Sequence, residues 1–467
     1  MGESIKAKSR FNKHKFLGKL IMFPIQLSSR LLLIAICFIF YGFGHASNVP
    51  ELKQDIVHPQ DLARFIGDGQ LFVIFPQKKE SLAVRGTKEK ETFETRFVSS
   101  ISVINASAKH VRSVINDYAN YSTFMPQNDH SEVVKKTPEY VIARYSVFVK
   151  LPVFKIHAIF DLKHVLNNKG DITWTLIDGH MKASLGRWEI IPISEKKTLV
   201  INTSWSDHKS IGFISRMLMK AQPDLAMAVP IGTTALMLEA VKQRAERKKR
   251  NNSPDSQQSM HTSPNIPYIS NIKIPQHTVN ALLKHGQVLI VHPAQWIRIG
   301  DNEALDLVFT SSMDVICAPI EQVKKISTDV SQYPDIFYQV TSVTPHKDKM
   351  TIDWRLKLWF SLFSFTIDLT NQYYWENDNI LTFTREAGDL EYVFGRREWI
   401  SLGPEKTMIV FTTGFQGGNA APFFLKFVKM LPNSQVVGST SVCSVLMEKH
   451  IPWIESRLQN KKARNQK

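Results

Sequence analysis

Apolar and polar positions alternate at the strand period over several stretches of this chain. Between 141 and 149, Val141, Ala143, Tyr145, Val147 and Val149 share one face; between 352 and 358, Ile352, Trp354, Leu356 and Leu358 stand opposite Asp353, Arg355 and Lys357. This predicts antiparallel strands with one buried and one wet side. Unbroken apolar runs at 71–75 and 288–291, each after a Gly-Gln pair and a short amphipathic helix, predict further strands. Helical spacing appears at Val111, Val114 and Ile115, and again at Val323 and Ile326, each time after a turn. Two long helices are expected at 224–247 and 433–458. The stretch 225–241 is apolar nearly all round, so other elements must wrap it. Pro230 predicts a kink in the first of them, where Ser439 stands in the second.

The pattern occurs twice. Sliding 98–127 by 212 positions onto 310–339 gives nine identities in thirty positions, against roughly two by chance. Gly179 and Gly186 recur 209 positions later as Gly388 and Gly395, which predicts a bulge or tight bend closing the sheet. Asp117/Asp329, Tyr121/Tyr333, Arg187/Arg396, Glu189/Glu398 and Glu239/Glu448 also match and are read as serving a shared fold. The expected organisation is a leader at 1–46, domains at 56–247 and 273–458, a Ser-, Asn- and Pro-rich linker at 248–272, and a basic tail at 459–467.

The run Ala106, Val111, Asp117, Tyr121, Phe124, Pro126 resembles that of the START-like, helix-grip superfamily (SRPBCC), which includes polyketide cyclases and coenzyme Q-binding proteins. The resemblance implies an α+β fold of two tandem helix-grip domains, each a curved antiparallel sheet wrapped on a long C-terminal helix. It also implies a cavity for an apolar small molecule in each half. The alternative is that aromatic side chains, 28 Phe and 9 Trp among them, fill both interiors. Cavity candidates are Tyr145, Trp174, Trp188, His157 and Asp161 in the first half, and Trp354, Leu356 and Arg397 in the second, where Arg397 replaces Trp188. His157 and His180 are read as solvated strand histidines before a general base.

Charge adds a targeting expectation. The chain carries a formal +16, of which residues 1–46 contribute a net +6, leaving +10 for the rest. Lys6, Lys8, Arg10, Lys13, Lys15, Lys19 and Arg30 precede a thirteen-residue apolar run at 31–43 and the small residues Gly44 and Ala46. That order is expected of a signal peptide or a membrane anchor, so the protein is expected to be exported, periplasmic or membrane-anchored. Basic runs at 244–250 and 461–467 read as solvated helix ends or as attraction to an anionic membrane. They lack the interleaved aromatic residues of a nucleic-acid site.

Cys317 and Cys443 are expected to be small buried hydrophobes, and the three cysteines, with Cys37, are too few for a disulfide scaffold. No zinc-protease, phosphate-loop, dinucleotide or nucleophile-elbow motif is present, so no cofactor, metal or catalytic residue is assigned. Three functions fit: a carrier of a hydrophobic small molecule or lipid, an enzyme like the two-domain polyketide aromatase/cyclases, and a module docking on anionic membranes.

Overall fold

The computed structural model describes residues 49–75, 82–85, 90–150, 155–221, 225–247, 264–270, 276–298, 304–360, 363–416 and 434–465. The expected leader at 1–46, Cys37 and most of the expected linker lie outside them.

The chain is a mixed α/β fold built on one large antiparallel sheet. The first half supplies β1 (Gln70–Ile74), β2 (Val98–Ile104), β3 (Asn128–Lys136), β4 (Val141–Lys150), β5 (Lys155–Leu166), β6 (Ile172–Gly179), β7 (Ser184–Ser194) and β8 (Lys197–Ser206). The second supplies β9 (Gln287–Val291), β10 (Thr310–Ile316), β11 (Val340–His346), β12 (Thr351–Phe360), β13 (Phe363–Asn377), β14 (Ile380–Gly388), β15 (Tyr392–Gly403) and β16 (Lys406–Gln416). Their order across the sheet is β11-β12-β13-β14-β15-β16-β10-β9-β1-β2-β8-β7-β6-β5-β4-β3. Two long helices, α1 (Leu225–Glu246) and α2 (Ser434–Asn465), pack on it and on each other.

The halves join through β1 and β9, which pair antiparallel with Phe72 opposite Leu289 and Val73 opposite Val288. Every residue of both strands is buried. Phe72, Ile74, Leu289 and Val291 pack with Ile231 and Ala235 of α1 and Cys443 of α2. On the other face, Leu71, Val73, Val288 and Ile290 meet Leu62, Phe65, Val279 and Leu282 from the short helices Pro59–Ile66 and Gln276–Leu283. A strand covered on both faces has little use for polar side chains, which explains the unbroken apolar runs. Two polar contacts add to the joint: Arg96 Nη1 lies 2.6 Å from Glu448 Oε2, and His285 Nε2 lies 2.7 Å from Asp55 Oδ2.

Repeated residues do repeated work. Gly179 and Gly388 sit at φ +133° and +115°, beside register shifts after Asp161 and Thr370 on the neighbouring strands. A Cβ there would come within 2.5 Å of Ile159 O or 2.2 Å of Asp368 O, so glycine alone fits the bulge. Glu189 accepts the backbone N–H groups of Leu52 and Lys53, and Glu398 accepts those of Ile269 and Ser270. Arg187 pairs with Glu51 at 2.9 Å; Arg396 pairs with Glu376 at 2.8 Å and also donates to the carbonyls of Ile266 and Pro267.

Three expectations change. Residues 264–270, read as linker, pack as a second copy of the segment at 49–53, with Ile266 and Ile269 buried. The last helix continues past 458, through the expected tail, to Asn465, and contains Pro452. Cys443 is buried as expected, but Cys317 is exposed at the turn after β10, where the chain leaves the sheet.

Candidate functional site

The second half forms a half-open cavity of about 700 Å³. The strand alternation builds its wall: Ile352, Trp354 and Leu356 project from β12, and Ile367, Leu369, Asn371 and Tyr373 from β13. Val393 and Arg397 of β15 and Phe411 and Thr413 of β16 continue it. Ser441, Val442, Val445 and Leu446 of α2 line one side, and Tyr333 of the short Tyr333–Ile336 helix and Phe337 just after it another. The lining is predominantly apolar, and its size falls in the range of small-molecule pockets, roughly 300–1,000 Å³.

A few polar groups break that wall. Arg397 Nη2 donates to the Tyr333 hydroxyl at 2.8 Å, and Nη1 donates to Ser327 O at 2.5 Å. The guanidinium also stands 6.0 Å and 5.8 Å from the ring centres of Trp399 and Phe411. Tyr333 Oη lies 3.5 Å from His450 Nε2, and burial, then the Arg397 charge, hold that imidazole well below the usual histidine range. Burial pushes the Tyr373 phenol up to about 12, so it stays protonated at neutral pH. The polar ends of Asn371 and Trp354 lie beside that phenol and pull its ionisation the other way, more weakly than burial.

The corresponding interior of the first half is built differently. Tyr145, Trp174 and Trp188 are all buried in one core with Tyr118, Tyr121 and Leu162. Tyr145 and Tyr121 have ring centres 5.5 Å apart, and Trp174 and Trp188 6.2 Å. Tyr145 Oη lies 3.0 Å from His164 Nε2; burial lowers that histidine to about 3, so it is neutral. Gly186 lies under Trp174, where a Cβ would come within 2.0 Å of the indole, and Gly395 lies under Phe383 at the same distance.

His157 and Asp161 do not share this interior. On β5 they alternate with Phe160, Leu162 and His164, so they occupy the opposite face. Asp161 accepts a two-pronged bond from Arg144 at 2.8 and 2.9 Å, and half-exposed His157 lies 2.7 Å from Ser146 Oγ. The strand period places them there, so neither is a cavity group. Trp354, Leu356 and Arg397 stand on the cavity wall of the second half. Asn371 and Tyr373 escaped the sequence reading, although β13 alternates from Ile367 to Tyr373 in plain view. Among the described residues no cluster of His, Cys, Asp and Glu could hold a metal ion, and no helix is long and apolar enough to cross a membrane.

Residues 104–250 match the family model described as polyketide cyclase / dehydrase and lipid transport. The ribosome association toxin RatA of Escherichia coli strain K12 is 25% identical over 99 residues, which is 21% of this chain and 60% of that protein. The match therefore spans about three-fifths of that relative's length. Among solved structures, the Zhui aromatase/cyclase of Streptomyces sp. R1128 is 19% identical, with 33% of this chain and 96% of that one covered and a TM-score of 0.28. The di-domain aromatase/cyclase BexL, of the BE-7585A biosynthetic pathway, is 11% identical over 77% of this chain and 98% of its own, with a TM-score of 0.25. Scores at this level carry nothing over to this chain. The START-like resemblance of the repeated motif and the family match converge on one stretch: within residues 104–250 the chain is similar to the polyketide cyclase / dehydrase and lipid transport family.

Proposed function

We propose that this protein is a carrier that holds a hydrophobic small molecule or lipid in the cavity of its second half. In this reading each half is a helix-grip module, with α1 and α2 as the gripped helices, and the first half serves as a packed scaffold. Trp354 and Leu356 contact the guest's apolar body, and Arg397 its polar end. One observation carries the reading: about 700 Å³ of apolar space bounded by β12–β16 and α2, at the place where the first half packs tyrosine and tryptophan.

The order of charged and apolar residues at 1–46 supports an exported or membrane-anchored location, and the basic stretch at 461–467 supports contact with an anionic membrane surface during loading. Organic-solvent extraction of the purified full chain, followed by mass spectrometry, tests the carrier reading. An apolar molecule in stoichiometric amount is expected. An empty extract, together with no uptake of a fluorescent lipid probe, would overturn it.

A further inference from the structure

We infer that the guest is a single-charged anionic amphiphile whose carboxylate docks on Arg397 while its hydrocarbon chain fills the cavity. This rests on the carrier reading and adds the chemistry of the headgroup.

The Arg397 charge is unbalanced. Arg397 reaches the cavity wall from β15, and its partners are all neutral: the Ser327 carbonyl, the Tyr333 hydroxyl, and the rings of Trp399 and Phe411. No carboxylate lies within ion-pair distance of it among the described residues. Its neighbour in sequence, Arg396, is instead paired with Glu376 at 2.8 Å. His450, beyond Tyr333, is held well below the usual histidine range by burial and by the Arg397 charge, so it brings no counter-charge. A cation facing an apolar cavity without a counter-charge is costly, and proteins pair such charges.

A carboxylate supplies one negative charge for one guanidinium and accepts hydrogen bonds from its planar fork. Tyr333 and Ser327 hold the guanidinium in place before the ligand arrives, so little ordering remains to be done on binding. In the first half the equivalent position is Trp188, so this preference belongs to the second half alone.

The test compares sodium oleate with oleyl alcohol, which share a chain and differ in the headgroup, by calorimetric titration of the delipidated full-length protein. Oleate is expected to bind at least about tenfold more tightly, the scale of one hydrogen bond to a charged group. Arg397→Met is expected to bind both probes alike, its retained affinity for the alcohol showing an intact cavity, and Arg397→Lys to restore part of the preference. Equal binding of both probes by the wild type, or an undiminished oleate preference in Arg397→Met, would overturn the headgroup assignment and leave the carrier reading standing. Binding of neither probe by the wild type would overturn the carrier reading and this inference with it.

Discussion

Trp188 and Arg397 occupy the same place in the two halves. Trp188 lies opposite Ile172 on the neighbouring strand and Arg397 lies opposite Leu381, with both members of the pair displaced by 209 positions. Tyr145 opposite Phe160 and Trp354 opposite Leu369 keep the same displacement. At two further such positions, Leu162 gives way to Asn371 and His164 to Tyr373. One framework therefore carries two interiors, an aromatic core and a cavity with a cation in its wall.

The two close-approach glycines give a stability prediction. A methyl group at Gly186 or Gly395 would lie within 2.0 Å of a Trp174 or Phe383 ring atom. Gly186→Ala and Gly395→Ala should each destabilise the fold by about 1–3 kcal/mol, as overpacked cores do. Urea denaturation checks this. Because Phe383 lines the cavity, Gly395→Ala should also weaken binding of an apolar probe, and Gly186→Ala should not.

These glycines also show how much the sequence held. The repeat, the strand period and the position of each glycine were legible, because local backbone geometry leaves a local mark. The pairing of β1 with β9 was not, since two apolar strands read alike whether they end a sheet or join two. Nor was the difference between the interiors. Trp188 and Trp354 are both inward-facing aromatics, and only the surrounding volume separates core from cavity wall.

The β1–β9 joint predicts cooperative unfolding. Residues of both halves share the clusters on the two faces of these strands, so neither half can expose its central strand without the other losing its cover. Calorimetry of the full chain should show a single transition. Two separated transitions would mean that the joint contributes little.

Glu189 predicts a pH dependence. Burial raises its carboxyl to about 7, against the bonds from Lys53 and Leu52 and the nearby Arg187 charge, which pull the other way. Between the ordinary value of 4.5 and about 7, the folded protein keeps a proton that the unfolded chain has released. Stability should therefore fall as pH rises through this window and level off above it, by about 3 kcal/mol at most. Glu189→Gln, which cannot titrate, should lose that slope. The comparison is made by denaturant unfolding of both proteins between pH 5 and pH 8.

The cavity itself is tested most directly by filling it. Ser441 of α2 faces the cavity, and Ser441→Phe places a ring where the guest is proposed to lie. Native mass spectrometry of the full chain with an apolar fluorescent fatty acid should show one guest per wild-type protein. Binding should fall by about tenfold or more in Ser441→Phe, at the scale of a lost apolar contact surface. Tyr145→Phe, in the packed interior of the first half, should leave occupancy unchanged. Full occupancy in Ser441→Phe, or its loss in Tyr145→Phe, would contradict a carrier built on the second half.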